Sequence, residues 1–262
     1  MTRSFSEEQL RRYSRQMILP EVGGGGQARL LAARVLVVGA GGLGSPATLY
    51  LAAAGIGTLG LVDSDGVELS NLSRQILHGM KDLERPKVFS GRARLEAQNP
   101  DVRVVPYHVR LSADNVRDVV AGWQVVVEGS DNLPTKLLVN DACVALGVPL
   151  VVAGIVRWDG QLMVVRPGET ACYRCAVPAL PPAGAIPSCE EAGILGPVAG
   201  VMGSLQAVEA LKLCLGLPTP TAGRLLFYDG LAAEAKSVAA RRDPACPACG
   251  QIPSRPREER AG

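Results

Sequence analysis

A glycine turn, a run of polar side chains and two pairs of cysteines carry the chemistry this sequence can do. The turn is Gly39-Ala40-Gly41-Gly42-Leu43-Gly44, which follows the apolar run at 35–38 and opens a helix-like stretch. Strand, G-x-G-x-x-G and helix in that order put backbone N–H groups and a helix N-terminus where a phosphate can sit. Asp63 closes the next apolar run, about 20 residues on, where an acidic side chain takes ribose hydroxyls. The glycines do not choose among NAD, FAD and another phosphate ligand.

The segment that follows narrows the choice. It carries Asp65, Glu68, Asn71, Arg74, Gln75 and Lys87. Hydride transfer has no need of several cations near the ribose, whereas a triphosphate attacked by a carboxylate does. At ~4 Å two unit charges interact by about 4 kcal/mol at an effective dielectric of 20. Arg74, Lys87 and a bound Mg²⁺ would offset that repulsion and position the reacting groups. Asp131, in Gly129-Ser130-Asp131-Asn132 after the fourth apolar run, is placed at the carboxyl edge of the sheet to hold the Mg²⁺. Each cation alone reads as a solvated surface charge; as a set beside the cradle they read as a phosphate site.

Cys172-x-x-Cys175 and Cys246-x-x-Cys249 offer four thiolates, a donor set for closed, tetrahedral, structural zinc. A redox C-x-x-C or an Fe–S cluster is the alternative; a redox pair would open a helix in a thioredoxin-like unit, and neither pair does. The seven cysteines are an odd number, so they form no disulfide framework. Cys143 and Cys214 fall at apolar helix positions and read as core. The two histidines, His78 and His108, lie near no serine or cysteine motif and read as surface or packed residues.

These residues need elements to hold them. Ser6 and Gln9 form a capping box for a first helix, which the glycine run at 23–26 should break. A short helix at 27–33 follows. Apolar runs then alternate with helical stretches up to residue 154, the signature of a parallel sheet with right-handed crossovers. Beyond it come a strand or hairpin from 156, a proline-rich loop, a long apolar helix from 196 and antiparallel strands. The expected organisation is an N-terminal helical arm (1–33), a Rossmann-like nucleotide-binding part (34–154), a zinc part of the same domain (155–250) and a disordered tail (251–262). The fold class is therefore α/β: a Rossmann-like, doubly wound, mostly parallel sheet with an antiparallel C-terminal extension and a structural zinc site.

Composition sets the outer bounds. With 47% apolar and 20% charged residues, a sizeable core is available. A net charge of +2 and 4% aromatics argue against nucleic-acid binding. The polar N-terminus lacks a signal-peptide core, and no apolar run reaches the ~20 residues of a membrane span. A cytoplasmic protein with no membrane partner is expected.

Taken in order, RYSRQMILPEVG, GAGGLGS, VDSDGVELSNLSRQ, RPKV, GSDN, CYRC, SCEEAG and CPAC resemble the MoeB/ThiF family, the ubiquitin-activating-enzyme-like adenylyltransferases of prokaryotes. The similarity covers roughly residues 8–250. It implies ATP in the cradle and adenylation of the C-terminal glycine carboxylate of a small ubiquitin-like sulfur-carrier protein ending in Gly-Gly, releasing pyrophosphate. The resemblance thus makes the 34–154 part ATP-binding and the 155–250 part carrier-binding as well as zinc-binding. It further implies Gly42 against the phosphates, Asp63 on the ribose, Asn71, Arg74 and Lys87 on the phosphates, Asp131 on Mg²⁺ and Asn132 beside it. Asp65, Ser70, Leu72, Ser73 and Gln75 would complete the nucleotide site. Arg15 matches an arginine that reaches into a neighbouring subunit's site, which implies a homodimer; Arg12 reads as structural. Cys189 matches a cysteine that can accept the activated carrier as a thioester or acyl-disulfide, although Glu190 and Glu191 beside it would raise its pKa. The chain lacks the length for a C-terminal rhodanese domain, so a separate sulfur donor is expected. The pathway would be molybdopterin, thiamine or thiolated tRNA nucleosides. The rival readings are an NAD-dependent oxidoreductase, a non-catalytic carrier-binding module, and a relative that activates a small carboxylate on tRNA.

Overall fold

The computed structural model describes residues 4–177 and 192–253. The expectations for Cys189, the greater part of the proline-rich run and the tail from 254 onward lie outside the described residues.

Helix α1 (Glu7–Met17) begins at the capping box read from the sequence, with Ser6 Oγ accepting from Gln9 N and Gln9 Oε1 from Ser6 N. The glycine run that should have broken the chain instead forms the first turn of α2 (Gly23–Ala32). A first turn has no intrahelical partners for its N–H groups, so the cost of glycine is smallest there. Gly26 also has a packing reason, since a Cβ there would come 3.1 Å from Leu215 Cδ2.

The sheet is built from β1 (Arg34–Val38), β2 (Thr58–Val62), β3 (Arg103–Tyr107), β4 (Val125–Glu128), β5 (Leu150–Val156), β6 (Asp159–Val165), β7 (Arg224–Asp229) and β8 (Glu234–Ala239). Their order is β3-β2-β1-β4-β5-β6-β7-β8. The first five are parallel and the last three antiparallel. Strands β1, β2 and β4 are short and almost wholly buried, as strands covered on both faces must be.

Helices cover both faces. On one, α2, α3 (Gly44–Ala53), α4 (Lys87–Gln98) and α8 (Gly196–Leu215) pack Leu30, Leu51, Leu95 and Met202 onto Val35, Val37, Leu59 and Leu61. On the other, α5 (Val116–Val120), α6 (Leu133–Leu146) and α7 (Tyr173–Ala176) pack Val120, Val139 and Tyr173 onto Leu36, Val126 and Leu150. Among the described residues α8 is long and apolar enough to cross a membrane, yet half of it is buried inside the protein.

The β5–β6 hairpin carries the sheet across residue 154 without a break. Its two-residue turn places Arg157 at φ +54°, and the Arg157 N–H donates to Gly193 O. That bond ties the hairpin to the segment leading into α8.

Candidate active site and metal centre

The glycine turn lies where β1 and β4 part, the point at which strand order reverses and open α/β sheets bind ligands. Gly39 adopts φ +90° and packs on the Gly129 backbone, where a Cβ would lie 2.9 Å from Gly129 O. A Cβ at Gly44 would fall 1.7 Å from Gly39 O, so both positions require glycine for the turn itself. Gly42 is different: a Cβ there meets only Ala199 and Arg74 side-chain atoms, at 3.5 Å and beyond.

The Ala40 backbone is held at both its N–H and its carbonyl. Its N–H donates to Asp63 Oδ2 at 2.8 Å, and its carbonyl lies 2.9 Å from His78 Nε2. A carbonyl only accepts, so Nε2 carries the proton and Nδ1 accepts from Ser90 Oγ at 2.9 Å. Burial pulls the His78 pKa below its ordinary value, which keeps this tautomer neutral. The sequence left His78 as a surface or packed residue; it is packed, under the cradle.

Asp63 Oδ1 accepts from Asp65 N, leaving the carboxylate at the mouth of the turn. Burial raises its pKa and the Lys87 charge opposes that rise. Lys87 opens α4, is only 6% exposed, and places Nζ 3.1 Å from Asp65 Oδ2. Asn71 is buried, and its Oδ1 accepts from Glu68 N, fixing a 3₁₀ turn at Leu69–Asn71. Arg74 NH1 donates to Ser70 O while its stem lies beside Gly42. Gln75 is buried next to Gly41, and its Oε1 finds no partner among the described residues. Ser70 and Ser73 Oγ atoms bond locally, to Glu68 and Ser70 O, and Leu72 is half-buried. Gly196 packs against Ser73 O, so α8 starts at the rim of the site.

Beyond β4, Asp131 is exposed at the same edge. Asn132 donates to Asp131 Oδ1 and caps α6, its Oδ1 accepting from Thr135 N at 2.9 Å. Sequence reading missed what lies beneath: Lys136 Nζ, 2.7 Å from the wholly buried Glu128. The available signal was an acid ending a buried strand and a lysine in the helix that follows.

Arg15 is exposed on α1, which is pinned by its neighbour Tyr13 against Gly55 with the phenol donating to Asp101. Burial pushes that phenol up to about 12. Arg12 pairs with Glu8 and donates to Gln98 O.

The four cysteines converge at the far end of α6. Their sulfurs all lie within 4.8 Å of one another, with Cys172–Cys175, Cys172–Cys246 and Cys175–Cys249 at 3.8, 3.7 and 3.4 Å. Four Zn–S bonds of ~2.3 Å in a tetrahedron require sulfurs about 3.8 Å apart, so the donor set fits zinc. Burial pushes the Cys172 thiol up. At Cys246 backbone N–H groups of Cys249 and Ala248 outweigh burial and draw it down. Arg174, inside the first pair, makes a bidentate contact with Asp141 of α6. Cys143 is core, as expected, and burial holds Cys214 at about 12.

Comparison with known proteins gives a consistent picture. The ThiF family matches residues 13–248. A sulfur carrier protein adenylyltransferase of Thermus thermophilus is 51% identical over 95% of this chain and 94% of its own length. The adenylyltransferase and sulfurtransferase MOCS3 of Bos taurus is 51% identical over 96% of this chain, which spans 55% of that protein. The crystal structure of E. coli MccB with MccA-N7isoASN superposes with a TM-score of 0.82 at 24% identity, covering 94% of this chain and 76% of that one, which shows the shared fold.

Proposed function

Because the chain belongs to the ThiF family, we propose that it is an ATP-dependent adenylyltransferase acting on a sulfur-carrier protein. The observation that carries this reading is Lys87, a buried cation whose charge is felt by Asp63 at the glycine turn and whose ion-pair partner among the described residues is the mostly exposed Asp65. A dinucleotide-dependent oxidoreductase has no use for Lys87 and Arg74 there. A non-catalytic module has no need to keep them beside an intact turn.

ATP supplies an activated phosphorus and a pyrophosphate leaving group. The donor set suits it: turn N–H groups and the α3 N-terminus, with Arg74 beside Gly42 and the Lys87 charge near Asp63, while the unpartnered Gln75 Oε1 would accept from a nucleoside hydroxyl or amine. Asp63 would take the ribose. Asn71, Arg74 and Lys87 would hold the phosphates, with Gly42 admitting them where a side chain would intrude. Asp131, with Asn132 beside it, would hold Mg²⁺, which offsets phosphate charge.

The carrier's terminal carboxylate must reach this edge against a polyanion. Arg74 and Lys87 lower that repulsion and hold the phosphate in line, which is electrostatic preorganisation more than acid–base chemistry. The product is an acyl-adenylate on the carrier. A ubiquitin-like carrier ending in Gly-Gly fits a site bounded by small residues at 41, 42, 196 and 200. Arg15 would complete the site of a second copy in a homodimer. Zinc would be structural, and sulfur would come from a separate donor, in the cytoplasm. The activation would serve molybdopterin, thiamine or thiolated tRNA nucleosides.

Calorimetry tests the ligand choice. ATP with Mg²⁺ should bind, NAD should not, and Lys87→Ala should abolish the ATP heat. Tighter NAD than ATP binding overturns the reading.

A further inference from the structure

Lys136 has three acceptors for its three ammonium protons. Nζ lies 2.7 Å from Glu128 Oε2, 2.6 Å from Ser130 O and 2.6 Å from Ala153 O. The other Glu128 oxygen, Oε1, accepts from Ser130 N at 2.9 Å. Ser130 is therefore gripped at its N–H by the acid and at its carbonyl by the base, and the residue it precedes is Asp131. The pairing of β4 with β5 ends at Glu128↔Val152, so the ammonium also takes up a β5 carbonyl beyond the end of that ladder.

A stability role alone is a poor account of this pair. Lys136 is 5% exposed and Glu128 is 0%. The desolvation of two charges offsets most of their attraction, and well-packed apolar residues in their place are often no less stable. What an apolar pair cannot do is hold the two peptide groups that flank one residue. An exposed carboxylate on an untied loop would sample many positions; on this loop its backbone is fixed one residue away.

We propose that Lys136, with Glu128, is a positioning residue that sets the Asp131 carboxylate at the nucleotide edge. It touches no substrate and acts through the Ser130 backbone. The inference deepens the adenylyltransferase reading and rests on it for the role of Asp131.

The test compares wild type with Lys136→Arg, Lys136→Met, Asp131→Asn and the Asp131→Asn/Lys136→Met double variant. Pyrophosphate exchange is followed against free Mg²⁺, and hydrogen exchange of the peptide spanning 129–132 is followed without substrate. Misplacing a reacting or ligating group by ~1 Å costs about a hundredfold, so Lys136→Met should lose about that much. It should also need more Mg²⁺ for half-maximal rate. Lys136→Arg should recover most of the loss, and Lys136→Met should add little to Asp131→Asn, since the two act through one group. Hydrogen exchange should rise at 129–132 while the β1 and β2 peptides stay protected. If Lys136→Met strands a buried Glu128 and fails to fold, Glu128→Gln/Lys136→Met keeps the site neutral and replaces it. Unchanged exchange at 129–132, or a loss that multiplies with Asp131→Asn, overturns the proposal. Raised exchange at 129–132 in a chain whose wild type never exchanges pyrophosphate supports the clamp and overturns the adenylyltransferase reading instead.

Discussion

Lys87 Nζ stands 3.1 Å from Asp65 Oδ2, yet the lysine side chain is 7% exposed and the aspartate 61%. The asymmetry matters. A buried ammonium must keep a counter-charge, whereas an exposed carboxylate can turn into solvent. An arriving phosphate can therefore replace Asp65 without stranding a charge.

Lys87→Gln should lower pyrophosphate exchange by about 10²–10³, the cost of removing one preorganised donor to developing charge. Asp65→Asn should lose far less. The same Lys87→Gln change removes the charge that opposes the rise of Asp63, so its carboxyl should titrate higher still. Carboxyl-detected NMR titration of the nucleotide-free protein reads the shift.

Gly42 and Gly44 should separate the cradle from the turn. Gly44→Ala drives a Cβ onto Gly39 O and should give little folded protein. Gly42→Ala meets only ordinary contacts and should fold with an unchanged thermal midpoint. Its ATP affinity should nonetheless fall by tenfold or more, roughly 1.4 kcal/mol.

His78 makes the cradle acid-labile. Its native pKa lies below the 6.5 of an unperturbed histidine because burial disfavours the imidazolium. Below pH 6.5 the unfolded chain takes up the proton and the native chain does not. Stability is thus whole above that pH and falls as pH drops toward the native value, by at most about 1.4 kcal/mol per pH unit. Urea unfolding across this range should show a shallower pH dependence in His78→Gln than in wild type.

Zinc should be found at one ion per four-cysteine cluster. Its removal by a chelator should lower stability by several kcal/mol, toward the 10–16 seen for small zinc-dependent domains. The readouts are metal analysis and thermal unfolding. Cys246→Ser should copy the effect, since Cys246 joins the C-terminal turn to Cys172. Catalysis per folded molecule should change little, because four thiolates leave no open position.

The sequence made some of this legible because the relevant physics is local. A Ser6–Gln9 capping box, glycines that only a tight turn requires, and C-x-x-C spacing each act over a few residues. The alternation of apolar runs and helices gave the parallel sheet for the same reason, and the hairpin and antiparallel strands after it followed from their turns. What stayed hidden depends on partners far apart in the chain. The glycines at 23–26 looked like a break because glycine is a poor helix former; Gly26 is admitted by Leu215, nearly two hundred residues away. His78 lies in no motif and is defined by Ala40. Asn132 reads as a ligand and is also the cap of α6. Glu128 and Lys136 are eight residues apart, so neither helical nor strand periodicity pairs them.

The central claim is tested most directly by ATP–pyrophosphate exchange with purified protein, run with each candidate sulfur carrier from the same genome, intact and with its terminal glycine removed. The account predicts exchange that needs one carrier's terminal glycine, disappears with Lys87→Ala, and leaves AMP on the carrier. A folded, zinc-loaded protein that exchanges with no carrier, or exchanges equally well with the truncated one, would contradict it.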